Sequence, residues 1–351
     1  MNLPHRAAAL VRLAAIAICW SFLLPADTAA AEEPQSHESQ AWLISTRSLG
    51  GSCAASTAAQ PAFWELTADN RWQRAEPEAF SAADKPGVPT VIFIHGNRVW
   101  RQEAVNRGWL VYHLIKSRSG GKPFRFVIWS WPSDEIRGPL KDVRAKAARS
   151  DVEAYYLASV IRRIHSDVPL TLIGYSFGAR SVTGAMELLA GGNVAGRRLS
   201  QLDEAPERRV RAMLLAAAMD SHWLLPGQYH GQALDRMEQA FITVNPADRV
   251  LKHYHLMYRC SNPQALGWAG PAGRGCLGAE QAKLEMANVA CNVGKEHDFF
   301  RYIHSPAVTS RLALYGFLEE PQPESPAADE QPAGPALTGG DTVEKSVARA
   351  D

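Results

Sequence analysis

Charge of one sign, long apolar runs and cysteine are all scarce in this chain of 351 residues. Its 37 basic and 36 acidic residues leave a formal net charge of +1, so no electrostatic footprint points to a nucleic-acid partner. The apolar stretch from Leu13 to Leu24 falls short of the ~20 residues a membrane-spanning helix requires. Only five cysteines occur, with no Cys-x-x-Cys pair and no His-rich spacing, so the pattern of a zinc site is missing. Internal repeats are absent too, which sets aside solenoids and propellers.

What is there begins with an export pattern. Arg6 and Arg12 precede the apolar stretch, and the small residues Thr28 to Ala31 follow it. Ala29-x-Ala31 fits a cleavage site, which predicts a signal peptide over residues 1–31, a periplasmic or secreted mature chain and no stable span after cleavage. Ile18 before Cys19 does not fit a lipoprotein box. The mature chain keeps Cys53, Cys260, Cys276 and Cys291, an even number that predicts disulfides in an exported protein. Three connectivities are open. A Cys260–Cys276 bridge would close a Gly- and Pro-rich loop and leave Cys53 for Cys291; the competing expectation is four buried free thiols. At the other end, eight acidic residues from Glu319 to Asp351 stand against Lys345 and Arg349, so residues 319–351 read as a disordered, acidic, proline-rich tail.

Residues 32–85 read as a linker followed by edge strands: an apolar, β-prone run over Ala41–Leu49, then a hairpin whose arms, Phe63–Leu66 and Arg71–Gln73, flank Thr67–Asn70. From residue 86 to 318 the rhythm changes. Apolar runs at Val88–Ile94, Phe124–Trp131, Leu170–Ile173, Val210–Ala216 and Ala240–Val244 alternate with helix-compatible stretches near 101–117, 141–165 and 177–190. That alternation predicts βαβ units and a mostly parallel sheet buried on both faces. A strand over Ala287–Val293 and a last helix over Pro306–Leu318 complete the expected series.

Gly174-Tyr175-Ser176-Phe177-Gly178 fits Gly-x-Ser-x-Gly between an apolar run and a helix-like segment. In that setting a tight turn lifts the serine above the sheet edge, and small residues are needed where the turn crowds its neighbours. His95-Gly96-Asn97 ends an earlier run, where its backbone can face a ligand at the C-terminal sheet edge. The Asn97 and Phe177 amides are therefore candidate oxyanion donors, with His95 itself a packing residue. A serine nucleophile needs a histidine oriented by a carboxylate, in the chain order serine, acid, histidine. Asp248, just past the run ending at Val244, is the preferred acid, with Asp220 as its rival or as a cap for the segment at Ser221. His297, in a polar loop before the last helix, is the preferred base, with His304 as competitor; His253 and His255 follow Asp248 too closely.

Taken with Phe126–Ser133, these motifs stand in the order seen in α/β-hydrolases, and the chain resembles a bacterial branch of uncharacterised, lipase-like hydrolases that often carry a Trp-Pro-Ser segment. The resemblance implies an α/β-hydrolase fold over residues 86–318 and a Ser176–His297–Asp248 triad with Asn97 and Phe177 as the oxyanion hole. It implies no metal or cofactor, and a small-molecule or lipid-like ester as substrate. No long amphipathic lid separates the runs, and the Gly- and Pro-rich segment Cys260–Met286, if bridged, would be a rigid wall. That favours a carboxylesterase-type pocket over interfacial lipid hydrolysis. The alternative is a catalytically silent α/β-hydrolase-like protein used for binding or envelope assembly. Thioester or amide hydrolysis would use the same triad.

Overall fold

The computed structural model describes residues 39–49, 60–200, 208–258 and 261–319; the expected signal peptide and nearly all of the acidic tail lie outside them. The chain has the α/β-hydrolase fold, with a nine-stranded sheet in the order β3-β2-β1-β5-β4-β6-β7-β8-β9. Its strands are β1 (Gln40–Ser45), β2 (Ala62–Leu66), β3 (Trp72–Ala75), β4 (Thr90–Ile94), β5 (Arg125–Ser130), β6 (Leu170–Tyr175), β7 (Val210–Leu215), β8 (Gln239–Val244) and β9 (Leu284–Asn288). Every pair from β1 to β9 is parallel except the β1–β2–β3 edge. The expected hairpin is present as β2–β3, while β1 is an inner strand in parallel register with β5.

The helices are α1 (Pro77–Ala82), α2 (Arg101–Lys116), α3 (Pro139–Ile161), α4 (Phe177–Leu189), α5 (Arg249–Lys252), α6 (Leu266–Ala269), α7 (Ala290–Val293), α8 (Phe299–Ile303), α9 (Pro306–Thr309) and α10 (Leu312–Tyr315). From β4 the chain steps outward to β5, then back across β4 to β6 and on to β7. Right-handed crossovers in opposite directions put their helices on opposite faces, so α2 lies on one face and α3 and α4 on the other. The central strands β4, β5, β6 and β7 are buried at every position, as a doubly covered sheet requires. No described helix is long and apolar enough to cross a membrane.

A buried ion pair locks α3 to α4: Arg180 reaches both oxygens of Asp151, each at 2.9 Å. A second buried cluster attaches the N-terminal strand. Glu153 of α3 accepts from Thr46 Oγ1 (2.8 Å), Trp129 Nε1 (2.9 Å) and Arg149 Nε (2.6 Å). Burial pushes the Glu153 carboxyl up, against the pull of Arg149.

Three expectations need correction. The last strand is Leu284–Asn288 rather than 287–293, because the Asn288 side chain accepts from the Ala290 amide at 3.0 Å and turns the chain into α7. The last helix, expected over Pro306–Leu318, is two short helices, α9 and α10, broken at Ser310–Arg311. Neither expected disulfide is formed: Cys276 and Cys291 are exposed free thiols on separate short helical turns, and Cys53 and Cys260 lie outside the described residues. Their exposure also departs from the buried-thiol expectation.

Candidate active site

Ser176 occupies the turn between β6 and α4 with φ 56° and ψ −118°, a backbone conformation that L-residues rarely adopt. The turn is held from both sides. The Ser176 amide donates to Leu215 O at 2.9 Å, and the Ser176 carbonyl accepts from Ala179 and Ala218. A Cβ on Gly174 would lie 2.6 Å from the Ala179 backbone, and one on Gly178 would lie 2.2 Å from the Ile94 carbonyl oxygen. Both glycines of the motif are therefore close-approach positions, one within the turn and one against β4.

The Gly178 contact gives a test of stability. Backbone cannot move aside as a side chain can, so Gly178→Ala is expected to cost about 3 kcal/mol or more. Gly275→Ala, where an added Cβ meets nothing within 4 Å, should stay within about 0.5 kcal/mol. Urea midpoints of the two variants check this; equal midpoints would show that the turn tolerates the methyl group.

Asp248 ends the loop after β8 and caps α5. Its Oδ1 accepts from the Val250 and Leu251 amides at 2.9 and 3.0 Å, and its Oδ2 accepts from Tyr302 Oη at 2.8 Å. The same Oδ2 lies 2.7 Å from His297 Nδ1. Burial opposes the charge on Asp248, but the His297 contact and the Leu251 and Tyr302 hydrogen bonds outweigh it and hold the carboxyl below its ordinary range. An ionised carboxylate only accepts, so His297 Nδ1 carries the proton and Nε2 presents a lone pair. That lone pair faces Ser176 Oγ at 2.9 Å. Two hydrogen bonds bind the acid loop to the histidine loop: Asn245 Nδ2 to Gly294 O (2.9 Å) and the Arg249 amide to Lys295 O (3.1 Å).

The other candidates lie elsewhere. Asp220 caps its own turn by accepting from the His222 amide at 2.9 Å. His304 is exposed and donates from Nδ1 to Phe300 O at the end of α8. His253 folds back on Arg249 O, at 2.7 Å, from the rim of the cleft.

Asn97 and Phe177 both line the cleft beside Ser176, and neither backbone N–H donates to another described residue. Phe177 opens α4, whose first amides have no partner within the helix. The Asn97 loop is fastened by residues that sequence reasoning left without a role. Ser133 Oγ donates to Val99 O (2.8 Å), and Ser133 O accepts from the Arg98 amide (2.8 Å). Arg47 reaches Val99 O at 2.6 Å and Ser130 Oγ at 2.8 Å, and Asn97 Nδ2 donates to Asp142. Trp131 stacks on His95 and donates from Nε1 to the His95 carbonyl at 2.8 Å. His95 is wholly buried, and burial pushes its imidazole down to about 3, so it packs the turn as a neutral ring. The Trp-Pro-Ser segment is thus the clamp on the Asn97 loop, a role its motif signals only when its neighbour in space is known.

These residues open on a cleft of about 590 Å³. Its walls come from the start of α3, from residues 249–257 and from Phe299. None of the described residues of the segment 260–286 lines it, so that segment is not the wall expected; it packs on the loop after β7, where the Leu266 and Gly267 amides donate to Met219 O and Ala217 O.

No family model and no curated protein matches this chain. Among solved structures it is similar to a protein from Thermus thermophilus, at 13% identity, covering 75% of this chain and 95% of that one, with a TM-score of 0.33. It is also similar to an acetylxylan esterase (12% identity, 66% of this chain and 96% of that one, TM-score 0.32). A third is carboxyl esterase 2 from the fungus Tuber melanosporum (11% identity, 73% and 81%, TM-score 0.34). Likeness at this level says nothing of activity. The fold rests on the strand order, and the site on the distances above.

Proposed function

We propose that this chain is an exported serine hydrolase that cleaves ester bonds through an acyl-enzyme. Ser176 is the nucleophile, His297 the general base and then the general acid, and Asp248 the carboxylate that orients it. The observation carrying this reading is the unbroken relay from Ser176 Oγ through His297 to Asp248, at 2.9 and 2.7 Å, at the floor of an open cleft. Ser176 Oγ attacks the ester carbonyl as its proton passes to His297 Nε2. The Asn97 and Phe177 amides face the oxyanion, a donor of this kind contributing ~3 kcal/mol to the transition state. His297 then protonates the departing alcohol, and water repeats the sequence to release the acid. Every proton in this scheme moves between side chains, substrate and water. Export is supported by the pattern in residues 1–31.

A fluorophosphonate probe tests the reading directly. The folded protein is expected to be labelled at one serine, mapped to Ser176 by mass spectrometry, and Ser176→Ala is expected not to react. A folded chain that resists the probe, or a labelled Ser176→Ala variant, would overturn the proposal.

A further inference from the structure

The large hydrophobic side chains exposed among the described residues are Trp100, Leu140, Val250, Leu256 and Phe300, and all belong to the surroundings of one cleft. Leu140, Val250 and Leu256 line it. Trp100 stands two residues past the lining residue Arg98 and is 68% exposed. Phe300 follows the lining residue Phe299, is 50% exposed, and lies against Arg107 of the same lining. Exposed apolar residues are ordinary when scattered; gathered at one opening they mark a surface that meets something apolar.

Charge narrows what that something is. Arg101, Lys141, Arg249, Lys252 and Lys295 stand exposed on the same segments, and none forms an ion pair with another described residue. Of the acids beside them, Glu103 pairs with Arg107, Asp134 with Arg47, Glu135 with Arg98 and Asp142 with Arg98 and Lys146. That leaves Glu296 and Asp298 without an ion pair among the described residues, against these five cations. Aromatic and aliphatic side chains interleaved with free cations are the composition that seats a protein at a negatively charged lipid–water boundary. A second copy docked face to face would oppose these cations to themselves, which disfavours self-association through this face.

We propose that the cleft rim docks this protein on an anionic lipid surface and presents Ser176 to acyl esters held in that surface. The second half rests on the hydrolase reading, while the docking does not. It also departs from the carboxylesterase-type pocket that the sequence suggested, because the opening itself is apolar.

The full chain carrying Ser176→Ala, in which lipid cannot be consumed, is sedimented with vesicles of phosphatidylcholine alone or mixed with phosphatidylglycerol. Partition onto the mixed vesicles is expected to be at least about 10-fold stronger than onto neutral ones, and to weaken as salt is added. Adding Trp100→Ser and Phe300→Ser should lower that partition about 10-fold or more. The urea midpoint should be lowered only slightly, because Trp100 is 68% exposed and Phe300, which touches Phe299 and Arg107, is 50% exposed. Both chains share the same N-terminal apolar stretch, so the difference reports the rim. Equal binding to neutral vesicles, undiminished binding by the double variant, or a dimer that forms without vesicle partition would each overturn the docking. A chain that docks yet never reacts with fluorophosphonate would fail the hydrolase reading alone.

Discussion

Replacing His297 with alanine is expected to lower kcat/KM for ester hydrolysis by about 10⁴- to 10⁶-fold, with KM little changed. The reason is geometric. His297 Nε2 is the acceptor that the structure places beside Ser176 Oγ, at 2.9 Å, and an un-ionised serine hydroxyl is a poor nucleophile at neutral pH. The loss should fall on kcat, because the imidazole acts on the moving proton and contributes little to holding the ground-state ester. His304→Ala provides the contrast: that ring faces solvent at the end of α8, and its replacement should leave the rate within about 2-fold, its helix-end hydrogen bond contributing ~1 kcal/mol to stability at most. Steady-state rates on short and medium acyl nitrophenyl esters separate the two. A loss of only a few fold in His297→Ala would remove the histidine from the proposed mechanism.

Asp248→Asn should lower kcat by about 10⁴-fold with the fold intact. Asn is close to isosteric, so its carbonyl oxygen can keep the cap on α5 in the Oδ1 position, which puts its amide nitrogen where Oδ2 met His297 and Tyr302. Its amide nitrogen is a donor, however, and presented to His297 Nδ1 it favours the tautomer whose Nε2 carries the proton. Such a ring cannot take the serine proton. The same substitution has a signature in stability. The Asp248 carboxyl titrates lower when folded than when unfolded, so its contribution is present above the unfolded value of ~4 and is lost as pH falls through the folded value. Urea midpoints measured downward from pH ~5 should therefore fall less steeply in Asp248→Asn than in the parent. A parallel fall in both chains would show that Asp248 is not held ionised by its partners.

Much of the fold was legible because it depends on local periodicity. Continuous apolar runs bounded by turn residues mark strands buried on both faces, and β4 to β8 fall within a few residues of where those runs stand. The errors came where short elements follow one another. Between Leu284 and Leu318 five short elements, β9 and α7 to α10, are joined by four turns, two of them held by Asn288 and Asp298 accepting backbone amides, and a hydrophobic run there is shared between elements. Whether Cys276 and Cys291 meet other cysteines depended on chain paths that no spacing encodes. The segment 260–286 looked like a wall of the cleft because it precedes His297 in sequence; the sheet carries it away instead, to the loop after β7.

The environment of Ser176 was determined by the sequence itself. A glycine on each side, an apolar strand before and a helix after leave the chain one compact way to turn, and that turn raises the serine with its amide neighbours. The steric limits involved act over five residues, so they can be read from five residues. Which acid and which histidine lie near it was decided only by tertiary structure. Asp220 and Asp248 both follow strands, and His297 and His304 both lie late in the chain, so local pattern ranks them weakly. The strand order puts β8 and β9 beyond β7, and the bonds from Asn245 to Gly294 and from Arg249 to Lys295 bring their loops back over β6. The apolar, cationic rim belongs to the same class of fact. Its residues lie on segments from Trp100 to Phe300, and only packing gathers them around one opening.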